Sequence, residues 1–425
     1  MRVRIQSSKI NGSLTPPSSK SMMQRALAAA ALSKGTTIIQ NPCKCEDADA
    51  ATGIINKMGA EVSNENNTLR ISNKQSSSPS KVMVGESGLS LRMFSPILAL
   101  NPEPVEITGR GSILKRPVHN ILEGLEHLGI QFENPGKGLL PFSLKGGYKE
   151  NIATIDGSLG SQFLTGLLMA LPCRKEDTVL EVKNLKSIPY INMTIDLLKE
   201  FGIDIEHEDY KTFRIKGNQE YKADEYTIEA DWSSAAPLLV AGALKGKVTL
   251  NHLNRYSYQA DIAILDALKK CGASIHWEKD SLTIQKKGLN SFEFNATHCP
   301  DLFPPLVALA VHCNGESRIK GVHRLEHKES NRGIVLQKEF GKIGVPIRIE
   351  GDEMVIPGGR VRGGLTNSNN DHRIAMALAV TAIASKYPIE IGQHDCVAKS
   401  YPDFFTDLRK LGAGIAEFYF KSQFV

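Results

Sequence analysis

At intervals of about seventy residues the hydrophobic pattern of the chain changes its period. A helical stretch ends in Leu, Met, Phe, Ile or Cys, a Gly follows, and an apolar segment alternating with polar residues comes next. The pattern reads NKMGAEV at Gly59, EHLGIQF at Gly129, KEFGIDI at Gly202, KKCGASI at Gly272, GKIGVPI at Gly344 and RKLGAGI at Gly412, with spacings of 70, 73, 70, 72 and 68 residues. Gly at such points supplies the left-handed conformation that closes a helix. The apolar period then falls from about 3.6 residues to about 2, which predicts strand. In LDALKKCGASIHW, Leu265, Leu268 and Cys271 share a helical face before Gly272, and Ile275 and Trp277 alternate after it.

A second pattern fills the other half of each interval: a helix rich in small apolar residues, a turn, then a β-rich strand. RALAAAALSKGTTIIQ, FLTGLLMALPCRKEDTVLEV, APLLVAGALKGKVTL and IAMALAVTAIASKYPIEIG are examples. Such helices are apolar nearly all round and are expected to be buried. The fold class predicted is α/β, with two similar domains of three repeats each and buried helices. Residues 1–18 plus 230–425 are expected to form one domain and residues 19–229 the other. The boundary falls near Asp231, and the strand-like start RVRIQSSKINGSLTPPSS is expected to cross into the C-terminal half. Asn73–Lys81 (NKQSSSPSK) reads as a polar loop.

The residues opening the apolar helices carry the candidate chemistry. Ser21, Ser87, Ser161, Ser233, Asp301 and Asp371 follow one another at steps of 66, 74, 72, 68 and 70. Small polar residues there are expected as caps, which suffices for Ser233 and Ser234. Lys20, Arg25, Arg92 and Arg373 are different, because a cation in a first turn opposes the helix dipole by about 0.3–1 kcal/mol. A bound anion would reverse that conflict, since free N–H groups, dipole and side-chain cations would all point at it. Solvent or a structural carboxylate would also offset it. Arg116, Lys328, Arg332 and Lys399 lie beside turn-forming residues and would extend a multiply charged anion site. Asp301 and Glu329 are the carboxyl candidates for acid–base work.

Composition narrows the class. The difference of 51 Lys+Arg and 46 Asp+Glu, +5, is too small for an obligate nucleic-acid binder. No apolar stretch approaches the ~20 residues of a spanning helix, and MRVRIQSSKING lacks the apolar core of a signal peptide. Seven cysteines without a CxxC pair predict neither a disulfide framework nor a metal site. The expected setting is a reducing cytoplasm. No P-loop, dinucleotide fingerprint, HExxH or GxSxG is present.

KSMMQRALAAAAL, GLSLR, KRPV, SQFLTGLLMA, SIPYINMT, HKESNR, NDHRIAMALAV and AKSYPDFF, in that order, resemble stretches of the 5-enolpyruvylshikimate-3-phosphate synthase family. The resemblance implies two domains of three βαβαββ-type units each (an inside-out barrel), closing on ligand in the cleft between them. It implies transfer of enolpyruvyl from phosphoenolpyruvate to the 5-hydroxyl of shikimate 3-phosphate, without cofactor, by a monomer needing neither nucleic acid nor membrane. Carried over by motif, Lys20, Ser21, Arg25, Ser161, Gln162, Ser187, Asp301 and Lys328 would hold shikimate 3-phosphate. Lys20, Gly88, Arg116, Gln162, Arg332, Arg373 and Lys399 would surround phosphoenolpyruvate, and Asp301, Glu329 and Lys20 would be catalytic.

The sequence also departs from the family pattern. Glu86-Ser87-Gly88-Leu89 replaces the usual Asn-Ala/Ser-Gly-Thr, and Gly160 replaces a phosphate-binding Ser. Arg324 falls where Asn is often found, and Asn331 takes the place of an Asp. Leu89 predicts reduced sensitivity to glyphosate, the family's familiar inhibitor. The alternatives are UDP-N-acetylglucosamine enolpyruvyl transferase, whose loop Cys is missing from TGRGSILKRPV, and an RNA-end-processing protein related to the RNA phosphate cyclases.

Overall fold

The computed structural model describes residues 1–73, 77–135, 137–222 and 225–418. Its helices, in chain order, are α1 (Lys20–Leu32), α2 (Glu46–Lys57), α3 (Gly88–Leu98), α4 (His119–Glu126), α5 (Gln162–Ala170), α6 (Ile188–Glu200), α7 (Trp232–Lys245), α8 (Ile264–Lys270), α9 (Phe303–Ala310), α10 (Arg332–Lys342), α11 (His372–Ala384) and α12 (Phe404–Lys410). Odd-numbered helices are the small-residue ones. In α7 twelve of fourteen residues are buried, and in α11 twelve of thirteen. Even-numbered helices bury one stripe: in α6 it is Ile191, Met193, Thr194, Leu197 and Leu198. Each even-numbered helix is followed by one of the six repeat glycines, all at φ between 75° and 104°.

Among the described residues the strands form six four-stranded sheets of one design. One pair is parallel and two are antiparallel, always in the same order. Ile152–Asp156 runs parallel to Thr178–Lys183, which is antiparallel to Thr212–Ile215, itself antiparallel to Glu206–Glu208. Thr178–Lys183 alternates buried with more exposed residues, as a sheet with one covered face requires.

Chain contacts divide the molecule into two compact units, Met1–Pro17 with Ala230–Val425, and Ser18–Glu229. In the Ser18–Glu229 unit the last strand, Glu225–Thr227, returns to lie parallel to Gly35–Gln40 of the first repeat. In the other unit Ile10–Leu14 pairs in parallel with Gly246–Leu250, and Arg2–Gln6 lies between Ile389–Gly392 and Gly414–Phe418. The small residues allow close helix contact. A Cβ at Gly166 in α5 would lie 2.4 Å from the Met93 carbonyl oxygen of α3. Of the expected loop Asn73–Lys81, residues 74–76 lie outside the described residues. Its ends belong to strands, and the Asn73 amide donates to the Ala30, Ala31 and Ser33 carbonyls that end α1.

Candidate active site

The residues singled out from the sequence fall into two sets, one in each unit. In the unit containing Asp301 they converge. That aspartate sits in a single turn, Pro300–Leu302, leading into α9. Arg332 opens α10, with Lys328 and Glu329 just before it, and Arg373 is the second residue of α11. The Arg332 guanidinium is 1% exposed and reaches three carboxylates: Asp301 at 2.7 Å, Glu329 at 2.5 Å and Asp371 at 2.8 Å. The other Asp301 oxygen, Oδ2, lies 3.1 Å from Arg373, while Lys328 Nζ lies 3.6 Å from Oδ1, the oxygen that Arg332 meets. Lys399 donates to the Asn370 carbonyl at 2.8 Å, beside the cap of α11.

Charge is conserved within this cluster by opposition. Burial works against ionised Asp301, but Arg373, Lys328 and Arg332 outweigh it and hold the carboxyl well below the ordinary range. Burial pushes the Lys328 ammonium down to about 8, against the pull of Asp301. A fourth acid, Asp261, is fully buried and accepts a hydrogen bond from Ser233. Burial first, then the Asp301 charge, push it up to about 7, against Arg373 and Ser233. The cluster therefore holds both a firmly ionised carboxylate and groups that change charge near neutrality.

The second set lies within Ser18–Glu229. Lys20 opens α1 and bonds Asp47 of α2 at 2.8 Å. Gln24, one turn further, donates to the Asp47 carbonyl at 3.0 Å and to Ser87 and Ser90 hydroxyls of α3 at 2.8 and 2.9 Å. Gly88 lies against Arg116, since a Cβ there would be 2.5 Å from Nη1. Ser161 and Gln162 begin α5, and Ser187, at φ 59°, precedes α6. Arg25 is 1% exposed and binds Thr194 at 2.9 Å, the Ser21 carbonyl at 2.7 Å and Thr165 at 3.4 Å. Burial lowers it to about 10.

Two expectations need correction. Arg25 and Arg92 stand in the second turn and reach back to the carbonyls four residues earlier, so neither opposes a first-turn dipole. Lys20 and Arg373 do stand in first turns, and each lies beside a structural carboxylate, Asp47 and Asp301, one of the offsets left open by the sequence. The caps of α1 and α7 are Ser19 and Asp231, so Ser233 is released to bind Asp261.

A model of the EPSP synthase (3-phosphoshikimate 1-carboxyvinyltransferase) family matches residues 5–408. A 3-phosphoshikimate 1-carboxyvinyltransferase from Clostridium acetobutylicum is 36% identical over 422 residues, covering 98% of each chain. The chain belongs to the EPSP synthase family. It is thereby a transferase. A second relative of the same name, from Methanococcoides burtonii, is 36% identical and covers 98% of this chain and 99% of its own. Among solved structures, an EPSP synthase from Acinetobacter baumannii matches the fold at TM-score 0.82 and 24% identity, over 98% of this chain and all of its own. The enolpyruvyl transferase NikO from Streptomyces tendae matches at TM-score 0.77 and 18% identity, covering 98% of each chain. These likenesses establish the inside-out α/β fold, with two units of three repeats.

The departures from the family pattern have local structural accounts. Glu86 accepts from the Ser112 N–H at 2.9 Å and its hydroxyl at 2.7 Å, in the turn that precedes Arg116. Leu89 is buried in α3. Gly160 has φ +133°, where glycine is favoured. Asn331 caps α10 through Oδ1, as Asp would. Arg324 is buried and donates to the Thr297 carbonyl at 3.3 Å. Among the described residues no helix is long and apolar enough to cross a membrane, and no cluster of three or more His, Cys, Asp or Glu is set to hold a metal.

Proposed function

We propose that this chain transfers the enolpyruvyl group of phosphoenolpyruvate to the 5-hydroxyl of shikimate 3-phosphate, releasing inorganic phosphate. Its full-length relatives carry that activity in their names. The observation that carries the reading is the Arg332 cluster, where two carboxylates suited to proton transfer stand among cations suited to small anions. The reaction asks for both. C3 of phosphoenolpyruvate must gain a proton, which leaves C2 cationic; the sugar-like hydroxyl attacks C2 and loses its proton; the tetrahedral intermediate then expels phosphate.

In this reading Asp301 accepts the proton of the attacking hydroxyl, because its carboxyl is held ionised. Glu329 serves C3, and Lys20 stabilises charge on the transferring group. Ser21, Arg25, Ser161, Gln162, Ser187 and Lys328 bind shikimate 3-phosphate, with Asp301 on its ring hydroxyls. Gly88 gives room to Arg116, which with Lys20, Gln162, Arg332, Arg373 and Lys399 binds phosphoenolpyruvate through charge-assisted hydrogen bonds. The chain is expected to act as a cytoplasmic monomer.

The absence of Cys from TGRGSILKRPV disfavours the UDP-N-acetylglucosamine reaction. Phosphate release from phosphoenolpyruvate with shikimate 3-phosphate, compared with the UDP-sugar, tests the reading. Release with the sugar alone would overturn it.

A further inference from the structure

The segment NPCKCEDADA places two thiols two residues apart immediately before α2. Cys45 is fully extended, with φ −161° and ψ 160°, and in extended chain residues i and i+2 face the same way. The thiols accordingly stand side by side, Cys43 Sγ 3.6 Å from Cys45 Sγ, with both residues buried. We propose that Cys43 and Cys45 form a redox-sensitive pair, whose oxidation to a disulfide pulls Asp47 away from Lys20.

The mechanical link is short. The Cys45 carbonyl accepts from the N–H groups of Ala48 and Asp49 and so starts the hydrogen-bond ladder of α2. Asp47, two residues on, holds Lys20 with its carboxylate and Gln24 with its carbonyl. An S–S bond of about 2.05 Å requires the sulfurs to close by about 1.5 Å. That movement passes directly into the first turn of α2.

The chemistry favours this pair over the exposed Cys173. The hydrogen bond from Cys43, with the Lys20 charge and the Ala48 N–H, outweighs burial and lowers the Cys45 thiol, so its reactive thiolate forms more readily. Cys173 is exposed, but desolvation pushes it up to about 11. With hydrogen peroxide as oxidant, the Cys45 thiolate attacks one oxygen, the O–O bond breaks, and hydroxide leaves to become water. The Cys43 sulfur then displaces the hydroxyl of the Cys45 sulfenic acid, which departs as a second water. Two thiols lose two electrons and two protons, and the peroxide takes both.

The effect on turnover rests on the role proposed for Lys20; the bond itself does not. Trypsin cuts after Lys44, between the two cysteines, so peroxide treatment of the full chain, alkylation and digestion read the bond directly. The expected result is a linked pair of peptides, residues 35–44 and 45–57, that separates with dithiothreitol. Lys20 should acylate faster with an amine-reactive ester in the linked form, and phosphate release should fall about tenfold, reversibly. C43S should keep its activity through peroxide treatment; if it does not fold, C43A replaces it. Cys43 and Cys45 still alkylatable after Cys173 has oxidised would overturn the proposal. So would a linked pair with Lys20 acylation unchanged. A chain inactive before oxidation would count against the enzymatic reading alone, since the peptide map and the acylation rate need no turnover.

Discussion

Replacing Arg332 by Ala should destabilise the Asp301-containing unit more than any surface change could. The guanidinium lies within 2.5–2.8 Å of three carboxylates and is 1% exposed. Asp371 is fully buried, whereas the side chains of Asp301 and Glu329 are 25% and 16% exposed and recover some hydration. Removing one partner of a buried ion pair costs about 3–5 kcal/mol, and that partial hydration places this case near 3. In a unit of about two hundred residues this lowers Tm by about 6–12 °C. The deficit should also depend on pH. In the parent, Asp301 is held below its ordinary pKa, so its contribution is present above the unfolded carboxylate value near 4 and is lost only as pH falls through the lower folded value. In R332A, Asp301 keeps Arg373 and Lys328, whose charges act on it more strongly than that of Arg332, and loses only the Arg332 share. Its carboxyl then protonates at a higher pH than in the parent, and its contribution falls less on acidification. The difference in Tm should therefore narrow from pH 7 to pH 4. Calorimetry of both proteins across that range reads it. A shift below about 2 °C at pH 7, or a gap that widens on acidification, would refute the reasoning.

Gly88→Ala would put a Cβ 2.5 Å from the movable end of Arg116, so the guanidinium should give way. Steady-state kinetics should show a raised KM for phosphoenolpyruvate with Tm nearly unchanged; an unchanged KM removes Arg116 from the donor site. Lys328 is charged below about pH 8 and neutral above it, so binding of shikimate 3-phosphate should weaken through that region. K328R should move the alkaline limb upward in a pH profile of KM, and a coincident profile would contradict the assignment. Asp261, raised to about 7, destabilises the folded unit increasingly as pH climbs from its unfolded value near 4 through 7. D261N should therefore gain Tm relative to the parent between pH 5 and pH 8, with equal curves as the adverse result. Parallel glyphosate titrations of the parent and L89T should show stronger inhibition of the variant; equal inhibition would discard the role of Leu89.

The repeat was legible because two periodicities and a glycine restriction recur together. The six glycines all take positive φ, and the six sheets share one strand order. The site was less legible. Lys20 and Arg373 were identified as first-turn cations, but their partners Asp47 and Asp301 come from other segments that no local rule connects. Asp261 lies in YSYQADIAI without a motif, and its burial depends on distant chain. Gln24 offered one unused signal, an amide inside an otherwise apolar helix, and such a group must find buried partners. Asp47 offered none, because an acid in a first turn is what the helix dipole already favours.

The central claim is that the carboxylates and cations gathered at Arg332 serve enolpyruvyl transfer to shikimate 3-phosphate. The most direct measurement is phosphate release from phosphoenolpyruvate by the parent chain and by D301N, each with and without shikimate 3-phosphate. The account predicts release by the parent that depends on both substrates and loss of at least about a hundredfold in D301N. Full activity in D301N, or parent release that ignores shikimate 3-phosphate, would contradict it.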